Sequence, residues 1–262
     1  MPGAIIDGFR IEERVHQGGM AALWSVSRAD ATTPMLMKVP KTGEGEDPAA
    51  IVGFEMEQMI LPRLSGVHVA QFIAAGDFAV QPYIVMERIP RKSLIRRLPE
   101  LPLSYAEVAE IGVKIAAALD DLHRQHAIHL DVKPSNIMFC PSGEAALVDF
   151  GLSHHDLLPD LMQEEFRLPF ATAPYMSPEQ LLGVRSDPRS DQFALGALLY
   201  FFSTGVRPFG ASQTMYGMRR RLWRDPVPPR PTIHPGCRRA CYAAWRPSRR
   251  GAIRRWRSSR ST

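Results

Sequence analysis

Apolar and polar positions alternate loosely along Phe9–Val15, resume at Leu23–Val26 after a Gly-Gly pair, and recur at Met35–Val39 and Tyr83–Met86. Patterning of period two, punctuated by glycine, predicts strands. One stretch between them reads differently. Asp47-Pro48 sets up a helix start, with the aspartate as cap and the proline in the first turn. Ile51, Phe54, Ile60, Leu61 and Leu64 follow at near-helical spacing, and Pro62 should end or kink that helix. Beyond Glu87 the period changes. Ser104-Tyr105-Ala106-Glu107 carries a capping-box signature, and Val108, Ile111, Ile115, Leu119 and Leu122 then share one helical face. Phe193–Phe202 is apolar all round, which predicts a helix buried on every side. A small strand-rich lobe with one helix, followed by a larger helical lobe, is the α+β architecture these patterns predict. No repeat of 20–50 residues interrupts it, and the proline-rich run Pro226–Pro235 marks a boundary.

Composition narrows the class. At 262 residues, 45% hydrophobic and 23% charged, the chain can build a real core, which excludes a disordered, collagen-like or coiled-coil protein. The longest apolar run, Phe193–Phe202, is ten residues, about half of what a bilayer span requires. No basic region followed by an apolar run stands at the N-terminus, so no secretory signal is expected. Three cysteines, Cys140, Cys237 and Cys241, are too few for a disulfide framework and lack a second metal-ligand pair. A reduced, cytoplasmic setting is the expectation. Charge is divided unevenly: the first 225 residues hold 22 basic and all 27 acidic side chains, whereas residues 226–262 hold ten arginines and no acid. An acidic body carries a basic tail, and the two need separate readings.

The chemistry concentrates in Ile128-His129-Leu130-Asp131-Val132-Lys133-Pro134-Ser135-Asn136-Ile137-Met138. An acid, a lysine two residues on and an asparagine five on stand in one loop bounded by apolar residues. Phosphoryl transfer needs such a set: a carboxylate to orient the attacking hydroxyl, a cation near the moving phosphate, and a neutral oxygen ligand for Mg²⁺. Thirteen residues beyond Asn136, Leu147-Val148-Asp149-Phe150-Gly151 offers a second carboxylate after a short apolar strand.

With these motifs in hand, the sequence resembles the protein kinase superfamily from about Phe9 to Arg224, most closely its bacterial serine/threonine branch. The elements stand in the family's order: Gly18-Gly19, Lys38, Glu57, the loop of Asp131 and Asn136, Asp149-Phe150-Gly151, Ser177-Pro178-Glu179 and Ser190-Asp191. The resemblance implies a bilobal fold, with residues 9–87 as a nucleotide-binding N-lobe, 88–225 as a catalytic C-lobe, and 226–262 as an atypical tail. It implies that Lys38 holds the α- and β-phosphates of ATP and that Glu57 pairs with Lys38. Asp131 would orient the substrate hydroxyl, and Lys133, placed as in the serine/threonine subclass, would steady the γ-phosphate. Asn136 and Asp149 would ligate Mg²⁺, with Mn²⁺ as an alternative. Val15, Gly18 and Met138 would border the nucleotide, while adenine would bond to backbone at Glu87 and Ile89 with Met86 behind it. Thr172 would contact the catalytic loop and Asp191 would bond its backbone. His129 and Phe150 would pack in the core.

Departures from the family pattern matter as much. His16 and Ala21 replace the first and third glycines of the phosphate loop, and Leu36 replaces a small residue over the adenine. Leu130 replaces the arginine that ordinarily receives an activation-segment phosphate, and His154–Ala171 contains no Ser, Thr or Tyr. Activation-loop phosphorylation is therefore not expected to act as a switch. The tail lacks the leucine-rich helices that should follow Arg224, together with the arginine that should pair with Glu179. Its nine arginines over residues 236–262 fit out-of-frame translation best, ahead of a nucleic-acid- or membrane-binding tail that would use Trp245 and Trp256, or an idle appendage. The expected function is an ATP- and Mg²⁺-dependent kinase acting on Ser/Thr hydroxyls of proteins, with ATP and protein substrates as partners, no nucleic acid, and no membrane span in this chain. The alternatives are a pseudokinase scaffold and a non-functional truncated kinase.

Overall fold

The computed structural model describes residues 2–18, 21–41, 47–88, 92–166 and 172–210. Gly19, Ile89 and the whole tail, with the readings attached to them, lie outside these residues. A six-stranded antiparallel sheet forms the first part: β1 (Ile5–Ile6), β2 (Phe9–Gln17), β3 (Ala21–Arg28), β4 (Ala31–Pro40), β5 (Phe72–Ala75) and β6 (Ile84–Glu87), in the order β1-β2-β3-β4-β6-β5. Helix α1 (Pro48–Ile60) sits between β4 and β5 in sequence. Asp47 caps it by accepting from the Ala49 amide at 3.0 Å, and a 3₁₀ turn carrying Pro62 ends it, as the sequence predicts.

Strand alternation explains how this sheet serves two sides at once. Met35 and Met37 of β4 bury with Phe9, Ile11, Val26, Tyr83 and Val85 in a core of their own. Directly paired residues share a face, so Leu36 and Lys38 point the other way together with their β6 partners Met86 and Ile84. Ile84 belongs to the main core that runs through the rest of the molecule.

That larger part comprises β7 (Lys92–Ser93), α2 (Tyr105–Arg124), β8 (Ala127–Ile128), β9 (Ile137–Phe139), β10 (Ala145–Leu147), β11 (His154–His155), α3 (Leu161–Glu165), α4 (Pro178–Leu181) and α5 (Arg189–Thr204). The capping box at Ser104 and Glu107 is formed, and Val108, Ile111, Ile115, Leu119 and Leu122 are all buried. Helix α5 packs against α2, with Leu199 lying over Gly112. Its burial is not quite all round: Leu195, Leu199 and Phe201 are only partly covered, while Phe193, Ala197, Leu198 and Phe202 are enclosed. Gly205, in the left-handed region at φ 71°, closes the helix. The short strands β9, β10 and β7 form one small sheet, and β11 pairs with β8. These two pairings carry the loops that matter, because one loop joins β8 to β9 and the other joins β10 to β11.

Candidate active site

Three elements bring charge to the space between the sheet and the helical part. β4 supplies Lys38, α1 supplies Glu57, and the loop after β10 supplies Asp149. The Lys38 ammonium donates to Glu57 Oε2 and, at 2.9 Å, to Asp149 Oδ1. The Phe150 amide also bonds Glu57. Burial alone would push the lysine pKa down, but the two flanking carboxylates more than reverse this and hold it above the ordinary lysine range. Asp149 is drawn below the usual carboxylate range, first by the Lys38 charge, with burial working against it. Burial lifts Glu57 upward while Lys38 pulls the other way. The lysine is thus a fixed cation with its position set from two sides.

Close backbone contact makes this arrangement possible. Gly53 lies on α1 one turn before Glu57, and Gly151 follows Phe150. A Cβ on Gly53 would stand 3.0 Å from the Gly151 carbonyl oxygen, and a Cβ on Gly151 would stand 3.0 Å from that of Gly53. The inner face of α1 therefore carries a glycine and a glutamate as well as Phe54, Met56 and Ile60, whereas Ile51 is only half-buried.

The loop between β8 and β9 organises Asp131. Its Oδ2 accepts from Lys133 Nζ at 2.6 Å and from Asn136 Nδ2 at 3.1 Å, while its Oδ1 accepts from the Thr172 amide at 3.0 Å and the Thr172 hydroxyl at 2.7 Å. The Asn136 amide group donates as well to the Asp131 carbonyl at 3.1 Å. Leu130 holds a left-handed conformation at φ 61°, an unfavourable one for a branched side chain. Fixed partners impose it: Asp191 accepts from the Leu130 amide at 2.8 Å and the His129 amide at 2.9 Å, and Gln180 Nε2 donates to the Leu130 carbonyl at 2.7 Å. Asp191 is fully buried and also meets His123 Nε2 at 2.9 Å. His129 is a core residue: its ring lies 5.3 Å from that of Phe150, its Nδ1 accepts from the Asp131 amide, and its Nε2 faces the Val148 carbonyl.

Asp149 is likewise left-handed, at φ 70°, with its side chain about half exposed. Local strain of this kind persists where surrounding structure over-determines it. Asp149 and Asn136 present hard oxygen donors, a carboxylate and an amide oxygen whose NH₂ is already taken by Asp131. That chemistry suits Mg²⁺, which takes few protein ligands and keeps water and phosphate oxygens for the rest. Among the described residues no three of His, Cys, Asp or Glu gather as a metal cluster.

The residues expected to border a nucleotide lie on β2, β6 and β9 and at the β2–β3 turn. Met86 and Glu87 end β6, and the Glu87 amide donates to the Gln71 carbonyl at 2.9 Å. Met138 is on β9, two residues after Asn136. The Gly18 amide bonds the Ala21 carbonyl at 2.9 Å, closing the β2–β3 turn, and His16 is paired with Leu23 in the ladder. Val15 lies at a register shift between Arg14 and His16 and is exposed. Leu36 stands on the same sheet face as Lys38. Gln180 went unnoticed in the sequence, although Ser177-Pro178-Glu179-Gln180 is itself a capping box, and the structure forms it.

The sequence that builds this site has relatives among known proteins. The protein kinase domain family matches residues 9–235 of the chain. The chain belongs to the protein kinase domain family. It is 30% identical over 205 residues to "Probable serine/threonine-protein kinase PknB" of Lactococcus lactis, covering 78% of this chain and 32% of that protein. It is 30% identical over 233 residues to "Serine/threonine-protein kinase pkn3" of Myxococcus xanthus, covering 84% and 42%. To "Serine/threonine-protein kinase PknA" of Mycobacterium tuberculosis it is 28% identical over 246 residues, covering 90% and 56%. The chain spans about a third of the length of the first two bacterial PknB relatives it matches. The bilobal α+β fold is that of a kinase domain, as the sequence motifs imply. Among the described residues no helix is long and apolar enough to cross a membrane.

Proposed function

We propose that the chain is an ATP-dependent protein kinase that transfers the γ-phosphate to Ser or Thr hydroxyls of proteins, with Mg²⁺ or Mn²⁺ as its metal. The observation that supports this most is the convergence of Lys38, Glu57 and Asp149 beside the Asp131–Lys133–Asn136 loop, to which the residue before Asp149 is tied by the Val148 amide donating to the Asn136 carbonyl at 3.0 Å. In this reading residues 9–87 bind the nucleotide and residues 88–225 carry the catalytic loop. Lys38, held by Glu57, bonds the α- and β-phosphates. Asp131, oriented by Lys133, Asn136 and Thr172, takes the hydrogen bond of the incoming hydroxyl and fixes its line of attack. Lys133 is placed to shift from Asp131 to the γ-phosphate as charge develops there. Asn136 and Asp149 would hold the metal, which when bound neutralises phosphate charge. Adenine would bond at the Glu87 carbonyl with Met86 behind it, Val15, Gly18 and Met138 at its border, and Leu36 crowding the ring. Because the Glu87 amide is engaged with Gln71, only its carbonyl is offered to the base. ATP as donor fits a cytoplasmic setting.

The same reading makes the kinase independent of activation-segment phosphate. Ser153 is buried and donates to the His129 carbonyl at 3.1 Å, and Ser177 is buried against Ser190 at 3.0 Å, so neither hydroxyl is presented to a kinase. The test is transfer of labelled γ-phosphate to casein. Label should appear on Ser or Thr, vanish with a chelator, return with Mg²⁺ or Mn²⁺, and keep its rate within about twofold after phosphatase treatment. Metal-independent transfer, or label on other residue types, would contradict the reading. A rate that collapses after phosphatase treatment would contradict the independence from phosphate.

A further inference from the structure

Arg185 lies between α4 and α5 with its side chain only 11% exposed. Its Nε donates to both oxygens of Asp160, at 3.0 and 2.8 Å, and its Nη2 donates to the carbonyls of Leu152 and Ser153, at 3.0 and 3.1 Å. Those two carbonyls follow Asp149-Phe150-Gly151 directly. Asp160 is as deeply placed, at 10% exposure. It also accepts from His154 Nδ1 at 3.0 Å and caps α3 through the Gln163 amide at 3.2 Å. Helix α3 packs against α1, the helix of Glu57, with Met162 buried in the main core.

One guanidinium therefore ties both ends of residues 152–160 to the body of the helical lobe, and its anion fixes the short helix that braces α1. A planar donor fork held by a carboxylate and two carbonyls is a rigid connection. The anion is built into the chain, in a segment whose sequence from His154 to Ala171 has no hydroxyl-bearing side chain.

We propose that Arg185 and Asp160 are positioning residues whose ion pair staples the segment after Asp149 and braces α3 on α1, keeping Lys38, Glu57 and Asp149 assembled without a phosphate group. This deepens the kinase reading above and rests on it. Losing the staple lowers the fraction of molecules with the set assembled, which reduces kcat in proportion and leaves nucleotide binding at the β6 edge largely in place.

The experiment uses the full 262-residue chain with Arg185→Lys, Asp160→Asn and both together. Lysine keeps the charge and asparagine keeps the helix cap, so each variant retains what the fold needs most. Steady-state transfer to casein is measured well below each melting temperature, alongside amide hydrogen exchange over residues 150–166. Each single variant should lose kcat about tenfold with KM for ATP within about twofold, exchange faster across that segment, and be matched by the double variant rather than exceeded. Unchanged kcat per folded molecule with only a lowered melting temperature would make the pair merely structural and overturn the proposal. Losses that multiply in the double variant would do so too. If the parent chain transfers no phosphate, the kinase reading falls separately. Hydrogen exchange then decides the staple, and unchanged exchange overturns it.

Discussion

Lys38 illustrates how a single side chain acquires its task from its neighbours. Its side chain is 16% exposed and that of Glu57 3%, a depth at which neither charge would be tolerated alone. Lys38→Met should therefore act twice. Transfer should fall at least about 100-fold through loss of a pre-placed cation, and stability should fall by about 3–5 kcal/mol because Glu57 is left buried without its ion-pair partner. Adding Glu57→Gln should recover much of the stability and none of the transfer. Urea unfolding and the transfer assay separate the two effects, and a double variant no more stable than the single one would contradict this division. At this scale the sequence was highly readable where chemistry demands fixed residue types at fixed spacing: Asp131, Lys133, Asn136 and Asp149 stand out for that reason. Arg185 and Asp160 did not, since their 25-residue separation follows no motif and only the folded segment brings them together. Gln180 was hidden in the same way, its bond to Leu130 spanning 50 residues.

Elements were legible in proportion to their length. The 20 residues of α2 give a full apolar stripe and a capping box, and the 13 of α1 give a cap and a proline stop. β1, β7, β8 and β11 are two residues each, too short for any period to register, and their pairing is imposed by the loops they flank. The inner face of α1 also misled, because apolar periodicity points to Ile51 while the closest approach is made by Gly53. That contact gives an element-scale prediction. Gly53→Ala gains helix propensity, yet its methyl would stand 3.0 Å from the Gly151 carbonyl oxygen. The helix must move by a few tenths of an ångström, and Glu57 moves with it. Activity should fall about tenfold or more while the melting temperature changes little, since a misplacement of about 1 Å costs about 100-fold in catalysis. Full activity in Gly53→Ala would show that α1 has slack at this point.

At the scale of the molecule, one core joins what the topology separates. Ile84 from the sheet, Phe54 and Ile60 from α1, Phe150 from the loop, and Ile115 and Leu198 from α2 and α5 belong to a single buried cluster. The residues that carry charge into the site thus stand on elements seated in a common apolar base, which favours the preorganisation that phosphoryl transfer requires. The division into a sheet-rich and a helical part was visible in the change of hydrophobic period at Glu87. The packing of a short helix of the activation segment against α1 was not, because it depends on a turn set by Asp160 and Arg185. The measurement that bears most directly on the central claim compares γ-phosphate transfer to casein, with Mg²⁺ present, by the parent chain and by Asp149→Asn. The parent should transfer phosphate and the variant should lose at least about 100-fold in rate. Equal rates in the two, including no transfer by either, would contradict the convergence of Lys38, Asp131 and Asp149 on a phosphate-transferring site.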